Sequence, residues 1–209
     1  MCETLVIIPT IEEKIIIYCE NQNSIYFNKL KFRNIHFIAE NNSAGVYIKT
    51  VANPTAFGLR DRDFLTDNEI KKLKKEIKNY IILEYYCFEN YIYHPDNIQE
   101  LNLQGFDYEI YVRDIKNQKR MKYNKIVMNF KNDRNGYQEF KTPDNKFRDS
   151  NEEIICEYLS SEDVEIFLKS YSLKNPFFDR KYLEKFQVTT EMLTSTEWFR
   201  RKFEHLLSF

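Results

Sequence analysis

The clearest local pattern is a short apolar, β-branched run, Lys14-Ile-Ile-Ile-Tyr-Cys19, as expected of a strand buried on both faces of a parallel sheet. It stops at Glu20. From Gln22 to Lys31, Ile25, Tyr26 and Leu30 fall at helical spacings, and the apolar run Ile35 to Ile38 predicts a second strand, completing a β-α-β unit. Over residues 43 to 52, Val46, Tyr47, Ile48 and Val51 keep offsets near the helical period. Pro54 closes that helix, and Thr55 to Leu59 predicts a third strand running into Arg60-Asp61-Arg62-Asp63. Thr66-Asp67-Asn68-Glu69 has the form of a capping box, in which the Thr hydroxyl and the Glu carboxylate satisfy free amides at a helix start. The helix it opens carries Ile70, Leu73 and Ile77 as an apolar stripe and Lys71, Lys72, Lys74, Lys75 and Lys78 over most of its remaining surface. A fourth β run, Tyr80 to Tyr86, ends near Phe88-Glu89-Asn90-Tyr91.

Strands alternating with helices at this spacing predict an α/β fold with a mostly parallel, Rossmann-like sheet flanked by helices, because parallel neighbours need crossover connections. From Pro95 onwards the pattern is less regular. A polar, basic, tyrosine-rich stretch (Tyr108 to Tyr123), a small hairpin near residues 126 to 140 and turns from Asn132 to Ser150 precede two clearer helices. Ser160 is the expected cap of one bearing Val164, Phe167, Leu168 and Tyr171; Thr194 is that of another bearing Trp198, Phe199, Phe203 and Leu206. The expected organisation is a core over residues 1 to 95 with a largely helical C-terminal extension, 96 to 209, packed on it.

Composition narrows the function classes. A chain of 209 residues with 43% hydrophobic positions folds, and has no room for two large domains. With 31 Lys and Arg against 32 Asp and Glu, it lacks the positive excess of a protein that coats nucleic acid through its bulk surface, so such contact needs a local basic face. Two faces qualify: the lysines of the 66–78 helix, Lys71 and Lys75 among them, and the run Lys116, Lys119, Arg120, Lys122 and Lys125 with Tyr111 and Tyr123 interleaved. Either is equally well explained as a solvated helix surface. No run of about 18 apolar residues exists, and the start Met1-Cys2-Glu3 lacks a cationic leader region, so a cytoplasmic protein with no membrane contact is expected. The four cysteines, Cys2, Cys19, Cys87 and Cys156, are scattered without a CxxC pair, which predicts reduced thiols rather than zinc or disulfides. His36, His94 and His205 are isolated in sequence and carry no catalytic expectation.

Chemistry gathers at the strand ends. In a doubly wound sheet the carboxyl ends of the strands face a common crevice, and Glu20, Asp61 with Asp63, and Glu89 each follow a strand there. Alternate residues of an extended segment point the same way, so Asp61 and Asp63 are expected to share one site while Arg62 points elsewhere. Carboxylates held together repel unless protonated or neutralised by a cation; oxygen-only donors favour Mg²⁺ or Mn²⁺ over Zn²⁺. Arg60 and Arg62 would bind substrate phosphate or neutralise the cluster.

These residues resemble a known family. The strand-Glu pattern Ile15-Ile-Ile-Tyr-Cys-Glu20 and the strand-DxD pattern Ala56-Phe-Gly-Leu-Arg-Asp61-Arg-Asp63, with the helix-strand spacing between them, look like a TOPRIM domain. Gly58-Leu-Arg-Asp-Arg-Asp-Phe64 followed by Phe88-Glu-Asn-Tyr-Ile92 narrows the resemblance to the OLD-like nucleases and the DUF4435 group, which includes the nuclease effector of the PARIS anti-phage system. The resemblance covers roughly residues 12 to 95. It implies a metal-dependent endonuclease in which Glu20 binds metal or acts as general base, Asp61 and Asp63 bind metal, and Glu89 is the later catalytic carboxylate. It further implies a toxin role in antiviral defence beside an ABC-type ATPase, with tRNA or DNA as substrate, and leaves a homodimer open. Lys71, Lys75, Lys119, Arg120, Arg60 and Arg62 are the candidate substrate contacts. One departure is Asn21, where many TOPRIM domains carry glycine. The other readings open at this point are a non-catalytic TOPRIM module docked on an ATPase and a phosphate-binding regulator.

Overall fold

A computed structural model of the protein describes residues 14–207, so the readings made on Met1, Cys2 and Glu3 lie outside the described residues. Four strands, β1 (Ile15–Glu20), β2 (Ile35–Glu40), β3 (Phe57–Arg60) and β4 (Tyr80–Ile82), form one sheet in the order β2-β1-β3-β4, parallel throughout. Crossovers run through α1 (Asn21–Lys29), α2 (Ser43–Ala52) and α3 (Asp67–Glu76), as the alternation predicts. β1 is central, with Ile17 opposite both Phe37 and Phe57, and its Ile17 and Cys19 are fully buried.

Two apolar layers cover the sheet. On one side Phe27 of α1 stacks on Phe37 and meets the edges of Phe88 and Phe203, joining the sheet to the C-terminal helices in one continuous core. On the other, Val46 of α2 and Ile70 and Leu73 of α3 pack with Tyr80, Tyr137 and Phe140. The approach of α2 to β3 needs Gly58, because a Cβ there would lie 1.9 Å from Thr50 Oγ1. The capping box forms as read: Thr66 accepts from the Glu69 amide and Glu69 accepts from the Thr66 amide.

Several expectations are corrected. β4 is three residues long, not seven. Its last ladder bond is Leu83 N to the Arg60 carbonyl; beyond it the Glu84 and Tyr85 amides turn to the Tyr91 hydroxyl and Tyr86 N to the Leu168 carbonyl, so tertiary acceptors replace the ladder. After α4 (Phe88–Ile92) and α5 (Pro95–Glu100) there is no hairpin near 126–140. Instead α6 (Tyr108–Asn135) runs 28 residues, about 42 Å at the helical rise. Its buried stripe, Tyr111, Ile115, Lys119, Ile126, Phe130 and Arg134, includes two cations at core positions, and these disguise the helical period.

A 3₁₀ turn (Gln138–Phe140) and the turn-rich segment lead to α7 (Glu153–Ser160), α8 (Val164–Phe167), α9 (Lys181–Glu184), α10 (Thr190–Ser195) and α11 (Glu197–Leu206). Ser160 ends α7 rather than capping a helix, since Asp163 accepts from the Glu165 amide at the start of α8. Thr196, not Thr194, caps α11 by accepting from Phe199 N, while the Thr194 hydroxyl donates within α10. No helix among the described residues is long and apolar enough to cross a membrane. Cys19, Cys87 and Cys156 are free thiols.

Candidate active site

The chain steps from β1 outward to β2 and then back across to β3 on the other side of β1, which opens a crevice at the carboxyl ends of β1 and β3. Glu20 is the last residue of β1 and the N-cap of α1, yet its side chain makes no capping bond. Its Oε1 is buried without a hydrogen-bond partner. Across the crevice, Asp61 Oδ1 accepts from Asn23 Nδ2 and from the Phe88 amide, both at 3.1 Å. Asn23 stands on the first turn of α1 and Phe88 opens α4, so two helix starts aim donors at one carboxylate.

β3 ends at Arg60, and the chain turns at Asp63, which adopts a left-handed φ of 50°, with the Leu65 amide donating to the Arg62 carbonyl. The alternation expected of Asp61 and Asp63 is replaced by this turn. Asp63 Oδ2 folds back onto Arg60 Nη2 at 2.6 Å, while Arg62 does point elsewhere, donating to the Leu65 and Glu84 carbonyls and to Asp67. Glu89 stands in the first turn of α4, 3.2 Å from Lys174 Nζ, with its Oε2 buried and unpartnered.

Arg60 lies beneath the cluster, fully buried, donating to the Asp61 carbonyl and pairing with Asp63 and Glu139, whose carboxylate also accepts from Tyr80. Burial acts to raise Glu139, but Arg60 and the Tyr80 hydroxyl outweigh it and hold the carboxyl below its usual range. The crevice carboxyls shift the other way. Burial raises Glu20, with Arg60 opposing. Burial and then repulsion from Glu20, Asp63 and Glu89 push Asp61 well up. Asp63 is pushed up to about 7 by burial and by Glu20, against the pull of Arg60. Burial also pushes the Cys19 thiol up to about 12, beside Asp61 and Glu20, which leaves it a poor nucleophile.

The donor set is rich in oxygen, but no three of its carboxylates bring ligand atoms within 4.8 Å of one another. All its ligands are oxygens, two of those oxygens are buried without partners, and the carboxyls resist ionising together. Their spacing is looser than the sequence suggests, for Asn23, the Phe88 amide, Arg60 and Lys174 each hold one carboxylate in place. Among the described residues, the three donors that close to within 4.8 Å of one another belong to His94, Asp96 and Glu165, a group that could hold a metal ion. His94 is clamped between the rings of Tyr85 and Trp198, and its Nδ1 accepts the Asp96 amide at the start of α5. That bond places the ring proton on Nε2, 3.2 Å from Glu165 Oε1.

The expected substrate contacts divide. Arg60 and Arg62 are buried with their donors engaged, so they neutralise carboxylates and cap carbonyls; they do not face a phosphate. Lys119 is buried too, donating to the Ser161 carbonyl over the Phe167 ring, because it occupies a core position of α6. Lys71, Lys75 and Arg120 are exposed, with Arg120 paired to Glu162 at 3.0 Å. Asn23, Lys174 and Glu139 were not singled out from the sequence. Asn23 carried a signal, three residues past Glu20 on the first helical turn, whereas Lys174 and Glu139 reach the site from remote positions with none. No family model, no curated protein and no solved structure matches this chain.

Proposed function

We propose that this protein is a Mg²⁺- or Mn²⁺-dependent phosphodiesterase acting on nucleic acid, with its site in the crevice of Glu20, Asp61, Asp63 and Glu89. The observation that carries the reading is the pair of buried, unpartnered carboxylate oxygens, Glu20 Oε1 and Glu89 Oε2, beside Asp61, whose pKa burial and repulsion from its neighbours raise. Glu20, Asp61 and Glu89 would hold the cation, while Asp63 is partly withheld by Arg60. Such an ion supplies Lewis-acid polarisation of a phosphoryl oxygen and a more acidic bound water. The chain's own residues do the rest. Asn23 and the Phe88 amide fix the rotamer of Asp61; Arg60, sealed by Glu139, keeps Asp63 in its turn; Lys174 sets a positive charge beside Glu89 where substrate phosphate would lie. Glu20 Oε1, buried without a partner, would serve as the cation's ligand or else as the acceptor of a proton from an attacking water.

The TOPRIM reading extends this to a nuclease effector of an anti-phage system, with an ABC-type ATPase as partner and tRNA as a candidate substrate. Its support is the motif resemblance together with a parallel sheet that delivers Glu20 and Asp61 to one crevice. A second reading, a non-catalytic module docked on an ATPase, is favoured by the Lys174–Glu89 ion pair, which already neutralises one carboxylate from within. The test is cleavage of plasmid DNA and total tRNA in Mg²⁺, Mn²⁺ or EDTA by wild type and Glu20→Ala. Cutting that needs the cation and drops at least about 100-fold in the variant supports the enzyme. Identical traces from both proteins reject it.

A further inference from the structure

β4 is an edge strand, and beside its end a groove of about 730 Å³ opens between α3 and α11. Its charge is one-sided. Lys71 and Lys74 line it from α3, Arg201 and Lys202 from α11, with Lys169 and Arg62 behind, against only two acidic residues, Asp67 and Glu84. Asp67 is itself spent, accepting from Arg62 and from Lys169 at 2.8 Å each; burial acts to raise it, but Lys169 and Arg62 win and hold it down at about 2. No ion pair among the described residues engages Lys71 or Lys74. In a chain whose net charge is -1, such a groove is a segregated patch, not a sample of a basic surface.

We propose that this groove binds the phosphate backbone of a nucleic-acid strand. Lys71 and Lys74 are three residues apart on one helical face, and Arg201, exposed though 3.7 Å from Glu197, stands on the opposite wall, so positive charge lies along both sides of a channel. A single small anion would meet one wall, whereas a linear polyanion meets both. Flexible lysine stems and an arginine fork suit phosphates without reading bases. Arg62 reaches the groove from the segment between Asp61 and Asp63 with its side chain turned away from both, so the groove is lined by none of the crevice carboxylates. The inference deepens the phosphodiesterase reading and rests on its substrate class alone, not on cleavage.

Fluorescence anisotropy with a labelled 20-nucleotide single strand of mixed sequence, read in EDTA, tests it. Wild-type affinity should fall about 50-fold between 50 and 200 mM salt, as about four phosphate contacts require. Lys71→Glu/Lys74→Glu and, separately, the exposed Arg201→Glu should each weaken binding at least about 10-fold, with circular dichroism unchanged. Lys49→Glu/Lys141→Glu, an equal charge change at exposed sites outside the groove and off α3, should stay within about 2-fold. Groove variants that bind like wild type, controls that lose as much, or polyglutamate displacing the strand at equal charge would each overturn the proposal, the last in favour of an acidic protein partner. Binding through the groove without cutting would remove the phosphodiesterase reading and leave this one. Cutting with unimpaired groove variants would do the reverse.

Discussion

Two ionic sites in this protein, one sealed and one partly open, use similar residue types to opposite ends. In the clamp between α3 and α6, Glu69 and Arg134 are both fully buried and every charge is answered. The two Glu69 oxygens accept from Arg134 at 2.7 and 3.0 Å and from the Thr66 and Asp149 amides, and Arg134 also reaches Glu152 and the Phe64 carbonyl. In the crevice at the strand ends, Glu20, Asp61, Asp63 and Glu89 outnumber their cations, and two oxygens have no partner. A saturated site holds a fold together; an unsaturated one stores repulsion that a ligand relieves. The saturated pair is also the deeper one: the Glu69 and Arg134 side chains are sealed from solvent, whereas those of Asp63 and Glu89 keep 26% and 21% of their exposure.

The contrast predicts opposite responses to losing a charge. Arg134→Met strips Glu69 of its counter-charge inside the core and should cost about 3–5 kcal/mol in urea unfolding; a loss below about 1 kcal/mol would show that the clamp is not a closed ion pair. Removing a charge from the crevice should do the reverse. A carboxyl whose folded pKa is raised contributes stability that is complete below its unfolded value and is lost as pH rises through the folded one, which for Asp63 is about 7. The cation-free protein should therefore melt lower at pH 8 than at pH 5. Mn²⁺ should restore the melting temperature at pH 8 and leave it unmoved at pH 5, and Glu20→Gln should gain about 1 kcal/mol at pH 8 only. A melting temperature that climbs between pH 5 and pH 8 would break the comparison. The smallest effect belongs to an exposed pair: Arg120→Ala, which loses Glu162 at the surface, should change stability by less than about 0.5 kcal/mol in the same unfolding assay.

Much of the first half is legible in the chain. β1, α2 and the capped start of α3 follow from β-branched runs, helical spacing and a local hydrogen-bond box, all set within a few residues. The errors fall where a distant group decides. β4 ends because the Tyr91 hydroxyl and the Leu168 carbonyl compete for its amides, and α6 continues through 126–135 because Arg134 can be buried only when Glu69 waits for it. The candidate site divides in the same way. Glu20, Asp61, Asp63 and Glu89 were placed by position after strands, whereas Asp63's turn onto Arg60, Lys174's reach to Glu89 and the meeting of His94 with Glu165 depend on contacts the spacing does not carry.

The sequence by itself determined the alternating elements, the parallel sheet and the delivery of acidic residues to its carboxyl end, because those follow from short-range periodicity and the geometry of crossovers. Only the tertiary structure decided which charges are answered and which are left over. Desolvation and pairing depend on whatever side chain arrives from far along the chain, so Arg60, Lys119 and Arg134 became internal counter-ions and donors, while Glu20, Glu89 and Glu139 each kept an oxygen that no described residue satisfies.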